Sequence, residues 1–272
     1  MARRVVIASQ KGGVGKTTVA LNLAVAFAER GRRALLADLD PQGAIGLSLA
    51  RGDTDLVGLA ELISGVATAQ DAVTATRLDG LSLLTRGRLD ATDVDSFEAE
   101  VARPGALDDA FAACEKGRDV VIVDTPSGLG RITTAALASA DFALLAFQTE
   151  SLAFRSVVQV LKVLEHIQAT RNPRLRLVGI LPTLVERDRP GSHAVLTEIW
   201  SSFPDALETI VPRTEAFARA SALGVPVGFL GGEAGQPEAR RFDLLADEIE
   251  GRMNRLDGME KPHEAQPARQ LL

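Results

Sequence analysis

Nine consecutive residues near the start of the chain have the composition of a loop that binds phosphate groups. They follow an apolar run, precede a helical pattern, and read Gln10-Lys11-Gly12-Gly13-Val14-Gly15-Lys16-Thr17-Thr18. The glycines allow backbone N–H groups to point inward around phosphate oxygens, and the start of the helix adds positive potential. Lys16 can reach the β and γ phosphates of a nucleotide, and the Thr17 hydroxyl can ligate Mg²⁺. The sequence therefore predicts a nucleoside triphosphate site at this loop.

Acidic residues stand at the ends of two later apolar runs. The second run of the chain ends in Ala37-Asp38-Leu39-Asp40-Pro41, and the run 120–123 leads directly into Asp124. A carboxylate at the end of a buried strand is costly unless it meets a cation or hydrogen-bond donors. Magnesium held partly through water fits this need at Asp124, whereas Asp38 is interpreted as a structural acid.

Apolar runs rich in Val, Ile and Leu alternate with amphipathic helical patterns along most of the chain. Near-continuous hydrophobicity is typical of strands covered on both faces, and the intervening helices supply crossover connections for a parallel sheet. The fold class that follows is α/β, with a mostly parallel central sheet and helices on both faces. The predicted strands are 4–9, 33–39, 81–85, 120–124, 142–148, 175–182 and 207–211.

The helical patterns set the expected organisation of the chain. Predicted helices cover residues 16–29, 91–101, 106–116, 152–169 with Ser151 as N-cap, and 237–254. We predict one domain over residues 1–255. Residues 256–272 are predicted to form a disordered tail, because they are rich in polar residues and proline.

The composition excludes several classes of protein. The apolar stretches are far shorter than the roughly 20 residues of a membrane-spanning helix, and the N-terminal run is too short for a secretory signal, so a cytoplasmic location is expected. Cys114 is the single cysteine and cannot form an internal disulfide. A net charge of −6 opposes wholesale nucleic-acid binding. A local basic patch can still bind phosphate groups, because salt screens it from acidic residues more than about 10 Å away.

A second lysine at the beginning of the loop, Lys11, makes the sequence resemble the ParA/MinD family of P-loop ATPases. The resemblance spans residues 4–252 and implies a P-loop NTPase fold. In that family this signature lysine reaches the phosphates bound by the partner subunit. The resemblance therefore implies that residues 11–18 bind ATP, that ATP binding produces a homodimer, and that Lys11, Lys16 and Asp40 take part in hydrolysis.

Other segments match the family in their order along the chain. The resemblance makes Asp40 the residue that orients the attacking water and, together with Thr17 and Asp124, a contributor to the Mg²⁺ site. The segment Phe147-Gln148-Thr149-Glu150-Ser151 corresponds to the one after the next strand, and Pro212 and Arg213 correspond to a Pro-Arg segment that borders the adenine. ATP and Mg²⁺ are the implied ligands.

The branches of this family can be distinguished by the residue types that the sequence lacks. The chain has no tyrosine, which excludes the autokinases with a C-terminal tyrosine cluster, and one cysteine cannot supply the cysteine pairs of the iron-sulfur members. The last helix carries acidic residues and lacks the basic amphipathic face of MinD-like proteins, so membrane binding is not expected. Short ParA-like proteins are the branch that fits. No N-terminal helix-turn-helix domain is expected, because the first strand begins near residue 4.

This branch implies nonspecific DNA binding by the ATP-bound dimer on the nucleoid, with slow hydrolysis stimulated by a ParB-like or cargo-adaptor protein. Arginine binds phosphate in a bidentate manner, so the candidate DNA contacts are Arg187, Arg189, Arg213, Arg219, Arg240 and Arg241. The segment 214–220 keeps only a loose likeness to chromosomal ParA proteins, so DNA contacts are not carried over from the family.

Two other functions fit the same sequence. A spatial regulator of this fold would act through protein or membrane contacts without binding DNA, and salt-sensitive DNA retention that requires ATP separates it from the first reading. A metabolic ligase or synthetase would need a second substrate pocket with its own acid, base or metal groups. The sequence shows no such cluster beyond the phosphate loop.

Overall fold

The structure is a computed structural model that describes residues 1–43, 45–46, 56–150, 152–186, 188–232 and 235–259. Ser151, predicted as an N-cap, Arg187, predicted to contact DNA, and the predicted tail beyond residue 259 therefore lie outside the described residues. No helix within the described ranges is long and apolar enough to cross a membrane.

Seven strands of the described residues form one sheet in the order β3-β4-β2-β5-β1-β6-β7. All neighbouring pairs are parallel except β3 and β4. The predicted α/β class with a mostly parallel sheet is confirmed. The strands are β1 (Arg3–Ala8), β2 (Ala34–Asp38), β3 (Val73–Ala75), β4 (Leu81–Leu84), β5 (Val120–Asp124), β6 (Phe142–Gln148) and β7 (Arg176–Thr183).

Helices cover both faces of the sheet, which is why β1, β2 and β5 are buried along most of their length. The first and last helices pack together on one face, and the helices between β4 and β7 pack on the other. In chain order they are α1 (Lys16–Glu29), α2 (Leu59–Ile63), α3 (Ala69–Ala72), α4 (Val94–Val101), α5 (Ala106–Cys114), α6 (Arg131–Ala138), α7 (Ala153–Thr170), α8 (Pro190–Ser202), α9 (Glu215–Leu223) and α10 (Gln236–Met259).

The strand register brings distant acidic residues to one edge of the sheet. Strand β5 lies between β1 and β2, with Asp124 opposite Ile7 on one side and opposite Asp38 on the other. Because the three strands are parallel, their carboxyl ends meet at the same edge. The loop after β1 therefore lies beside both aspartates, although Asp124 is more than one hundred residues away in the sequence.

The predicted strand at 207–211 is wrong. The chain there makes only isolated bridges, Ile180 to Ala206 and Val185 to Pro212. The backbone N–H groups of Glu208 and Thr209 donate to the carboxylate of Glu248 on α10, so they do not extend a strand ladder. An apolar pattern cannot reveal that a helix side chain takes these donors.

The last helix continues past its predicted end at Asn254 and includes residues 256–259, which were assigned to the disordered tail. Leu256 packs against the core cluster that contains Met253, and Arg3 forms an ion pair with Asp257 at 2.6 Å. These contacts with the N-terminal strand and the core extend the helix by about one turn.

Candidate nucleotide site

Three glycines shape the loop between β1 and α1. Gly13 and Gly15 have φ angles of 72° and 87°, in the left-handed region that residues with a Cβ rarely adopt. Gly12 lies outside that region, but a Cβ at this position would be 3.1 Å from Ser127 Oγ. The loop therefore needs glycine for its conformation and for its close approach to the loop after β5.

The other loop residues follow from this backbone. Val14 is buried in the apolar core, so it can offer a ligand only its main chain. Lys16 is the first residue of α1, and Thr17 and Thr18 complete the first turn with no acidic residue. The exposed N–H groups of a first helical turn attract anions.

Lys16 is buried, with 6% of its surface exposed. Its Nζ donates a hydrogen bond to Ser9 Oγ at 3.0 Å and lies 3.5 Å from Ser127 Oγ. Burial lowers the pKa of Lys16, while the charges of Asp124 and Asp40 act in the opposite direction. No carboxylate of the described residues forms an ion pair with Lys16, so this desolvated ammonium group retains a strong attraction for an anion.

Asp124 lies directly beside the first turn of α1. Its Oδ2 accepts a hydrogen bond from Thr17 Oγ1 at 2.7 Å, whereas its buried Oδ1 has no hydrogen-bond partner among the described residues. Burial raises the pKa of Asp124 to about 6, although the hydrogen bond from Thr17 and the charge of Lys16 favour the ionised form. A buried carboxylate oxygen without a donor is costly, and a nearby cation removes that cost.

These residues fit a magnesium ion that is also bound to a nucleotide. A threonine hydroxyl and a carboxylate provide oxygen atoms, which Mg²⁺ prefers, and Mg²⁺ usually keeps several water ligands beside substrate phosphates. Within the described ranges, no group of three or more His, Cys, Asp or Glu side chains could hold a metal alone. A threonine hydroxyl and one carboxylate are the kind of donors that Mg²⁺ uses beside substrate phosphates.

Asp38 and Asp40 have different surroundings although only one residue separates them. Asp38 is fully buried, and its carboxylate accepts hydrogen bonds from the backbone N–H groups of Asp40 at 3.0 Å and Ile45 at 3.1 Å. Burial and the nearby charge of Asp124 raise the pKa of Asp38 to about 8. Asp40 is half-buried and accepts a hydrogen bond from the Gln42 N–H at 2.9 Å. Asp38 thus holds the loop that carries Asp40.

Residues 2–177 match a protein family described as AAA domain. The chromosome-partitioning ATPase Soj of Thermus thermophilus is 34% identical over 257 residues, which cover 92% of this chain and 96% of the relative. The chromosome partitioning protein ParA of Caulobacter vibrioides is 33% identical over 233 residues, covering 83% and 86%. The chain belongs to the ParA/MinD family of P-loop ATPases.

The solved structures agree with this assignment in fold. A cobyrinic acid a,c-diamide synthase from Mycobacterium smegmatis with bound ADP and magnesium superimposes with a TM-score of 0.73 at 33% identity. The match covers 91% of this chain and 93% of the synthase. The P-loop NTPase fold expected from the resemblance is confirmed.

Lys11, predicted to be the family's signature lysine, forms an ion pair within the chain. Lys11 Nζ lies 3.1 Å from Glu150 Oε2, and the two side chains are 41% and 46% exposed. Ion pairs with this exposure contribute about 0 to 1 kcal/mol to the stability of a protein, so separating Lys11 from Glu150 costs little free energy. The single chain holds Lys11 against a carboxylate that follows β6, close to the start of the phosphate loop.

The Pro-Arg segment is anchored beside the end of β7. The Val211 N–H donates to Pro182 O at 2.9 Å, and the Arg213 N–H donates to Val185 O at 3.0 Å. The side chain of Arg213 forms an ion pair with Glu186, Nε to Oε1, at 3.1 Å. These contacts fix the backbone of the segment predicted to border the adenine.

Two of the predicted DNA contacts pair with the same carboxylate. Arg189 shares Glu186 with Arg213, through a contact of 2.9 Å to Oε2. Arg219 and Arg240 are exposed on α9 and α10. Arg241 is half-buried, and its buried Nε has no hydrogen-bond partner among the described residues. Glu186 thus brings Arg189 and Arg213 to one carboxylate.

Sequence reasoning missed several side chains around the site. Ser9 and Ser127 contact Lys16, Glu150 pairs with Lys11, and Glu186 pairs with two predicted DNA contacts. Glu150 stands in a segment singled out by the resemblance, which gave a position but no contact. Glu186 carried no sequence signal, because an acid among arginines on a loop is common on protein surfaces.

Proposed function

We propose that this ATPase is a nucleotide-switched partitioning or positioning device. In this proposal it binds Mg²⁺·ATP, forms a homodimer, and in that state binds duplex DNA without sequence preference to move plasmid, chromosome or protein cargo. The observation that carries the proposal is the phosphate site with its second lysine, in a chain similar over most of its length to partitioning proteins.

The residues of the site have separate roles in this proposal. Lys16 and the loop N–H groups bind the phosphates, and Thr17 and Asp124 hold Mg²⁺, which supplies positive charge that stabilises phosphoryl transfer. Asp40 holds the attacking water in line with the terminal phosphate, and Asp38 keeps the backbone of Asp40 in place. Pro212 and Arg213 border the adenine. Hydrolysis is slow until a ParB-like or cargo-adaptor protein stimulates it.

Lys11 links nucleotide binding to dimerisation in this proposal. Its ion pair with Glu150 is exposed and weak, whereas a phosphate group carries more negative charge than one carboxylate. A second subunit that presents its bound ATP to Lys11 therefore competes favourably with Glu150. Each site is then completed by the other copy, so the ATP-bound state favours the dimer.

DNA binding is assigned to arginines on the segments after β7. The chain as a whole is acidic, so binding requires a local surface within a screening length of about 10 Å. Arg189, Arg213 and Arg219 belong to neighbouring segments, and Arg240 and Arg241 form a second group on α10. Two copies in a dimer double the number of contacts. The expected location is the nucleoid in the cytoplasm.

Retention on nonspecific duplex DNA tests this function. Purified protein is passed over immobilised DNA at low and moderate salt, without nucleotide, with ADP, and with ATP and Mg²⁺. The expected result is retention with ATP only, weakened as salt rises because counterions are released on binding. Absence of retention in every state would contradict DNA binding and favour a spatial regulator that acts through protein or membrane contacts.

A second candidate function is suggested by the synthase from Mycobacterium smegmatis, which matches as well as the partitioning proteins do. A synthetase would couple ATP to the activation of a carboxylic acid and would need a second substrate pocket. Rapid ATP turnover that depends on a small carboxylic acid would support this function. Turnover that responds to DNA and a protein activator would exclude it.

A further inference from the structure

Ser127 joins the loop after β5 to the phosphate loop. Its Oγ lies 3.5 Å from Lys16 Nζ, and the position of a Cβ on Gly12 is 3.1 Å from the same atom. The residue is exposed and belongs to the connection between Asp124 and α6. The hydroxyl therefore forms part of the wall around Lys16 without contributing to the core.

Lys16 has two neighbouring hydroxyl groups, which come from different segments of the chain. Ser9 follows β1, is buried, donates to Lys11 O at 2.8 Å and accepts from Lys16 at 3.0 Å. It is part of the phosphate loop itself. Ser127 comes from outside the loop, and its 3.5 Å separation from Lys16 exceeds the usual N–H···O distance of about 2.9 Å. An oxygen atom placed to one side of this pair can lie within hydrogen-bond distance of both Lys16 Nζ and Ser127 Oγ.

The position of Ser127 points to the terminal phosphate. Loop N–H groups and the first turn of α1 surround the inner phosphates, and the lysine reaches from the β to the γ phosphate. Ser127 follows Asp124 by three residues and lies 3.5 Å from Lys16 Nζ, which also interacts with the charges of Asp124 and Asp40. Asp124 and Asp40 are the residues assigned to magnesium and to the attacking water.

We propose that the Ser127 hydroxyl donates a hydrogen bond to the terminal phosphate of ATP and so makes the site prefer ATP to ADP. The inference rests on the proposed ATP site but not on DNA binding. A hydrogen bond to a charged phosphate that is present with ATP and absent with ADP discriminates directly between the two nucleotides.

Nucleotide affinities of Ser127→Ala test this role. Dissociation constants are measured calorimetrically with Mg²⁺ for ADP and for adenylyl imidodiphosphate, a non-hydrolysable ATP analogue, at protein concentrations where light scattering shows monomer. We expect affinity for the analogue to fall about tenfold and affinity for ADP to stay unchanged. Because Ser127 is exposed, the thermal unfolding midpoint of the variant should match that of the parent.

Ser9→Ala is the matched control, because it removes the other hydroxyl that meets Lys16. This substitution should lower the affinity for both nucleotides to a similar extent. Equal losses of both affinities in Ser127→Ala, or no loss of either, would overturn the role of Ser127. A parent protein that binds neither nucleotide would instead refute the ATP site itself.

Discussion

The phosphate site and the arginine-bearing segment after β7 both present positive charge, but they hold it in opposite ways. Lys16 is buried and hydrogen-bonded to the Ser9 hydroxyl, without an ion pair to a described carboxylate. Arg189 and Arg213 are largely exposed, and both are paired with Glu186. The first charge is arranged in advance for an anion, whereas the two arginine charges are partly offset by one shared carboxylate. Nucleotide binding therefore needs little rearrangement, and DNA binding at this pair requires Glu186 to release the arginines.

The largest expected effect is the loss of nucleotide binding in Lys16→Ala. The ammonium group contributes charge-assisted hydrogen bonds to two phosphates, so its removal should weaken ATP and ADP affinity at least about 100-fold. Calorimetric titration measures this, with Lys162→Ala, an exposed lysine on α7, as the control. Undiminished affinity in Lys16→Ala would remove the phosphate loop from its assigned role.

A large effect on turnover, without a loss of binding, is expected for Asp40→Ala. Without the carboxylate that positions water, hydrolysis should fall by about 100-fold or more, while ATP affinity stays near that of the parent. Phosphate release and nucleotide titration measure the two quantities. Asp95→Ala, at an exposed position on α4, should change neither. Turnover at the parental rate would show that Asp40 does not act on the water.

Asp38 makes the stability of the folded protein depend on pH. Its pKa is about 8 in the folded protein and about 4 in an unfolded chain. Because the folded value is the higher one, the stability that Asp38 contributes is complete below about pH 4 and is lost as pH rises through about 8. The Asn side chain of the Asp38→Asn variant cannot ionise, so the variant does not lose this stability as pH rises.

The thermal midpoints of Asp38→Asn and the parent, without nucleotide or magnesium, measure this difference. Between pH 5.5 and pH 8.5 the midpoint of the variant should rise relative to the parent by about 3 °C or more. A relative midpoint that stays constant across this range would show that Asp38 is already ionised at the lower pH. Because the charge of Asp124 raises the pKa of Asp38, the difference between the two proteins includes the coupling of these two carboxyls.

The smallest effect concerns the arginine-bearing segment. Glu186→Gln removes the acid that holds Arg189 and Arg213, so retention on DNA with ATP and Mg²⁺ should increase about threefold, the size expected for a surface ion pair. Glu198→Gln, at an exposed position on α8, changes net charge equally and controls for it. Equal retention of the two variants would indicate that Glu186 does not restrain DNA binding.

The two regions also differ in how far sequence could predict them. A strand, the glycine-rich loop and a helix are contiguous between residues 3 and 29, so local backbone preferences define the geometry around Lys16. Asp124 could be placed there because the ends of parallel strands meet at one edge. The contacts of Lys11 with Glu150 and of Lys16 with Ser127 depend on which strands are neighbours in the sheet. Periodicity does not contain that information.

The segment after β7 shows the same limit more strongly. The pattern at 207–211 resembled a strand, yet Glu248 on the last helix takes the backbone donors of Glu208 and Thr209. Residue type alone identifies the arginines as candidates. It does not identify Glu186, which pairs with two of them. Long-range partners determine both outcomes, so a list of arginines could not separate a DNA surface from a set of internal ion pairs.

The molar mass of Asp40→Ala in solution tests the central claim that ATP unites two copies through Lys11. Light scattering is performed with ADP and with ATP and Mg²⁺, on this variant and on Lys11→Ala/Asp40→Ala. We expect a dimer with ATP, a monomer with ADP, and a monomer in both states when Lys11 is absent. A monomer with saturating ATP, or a dimer that forms equally well without Lys11, would contradict it.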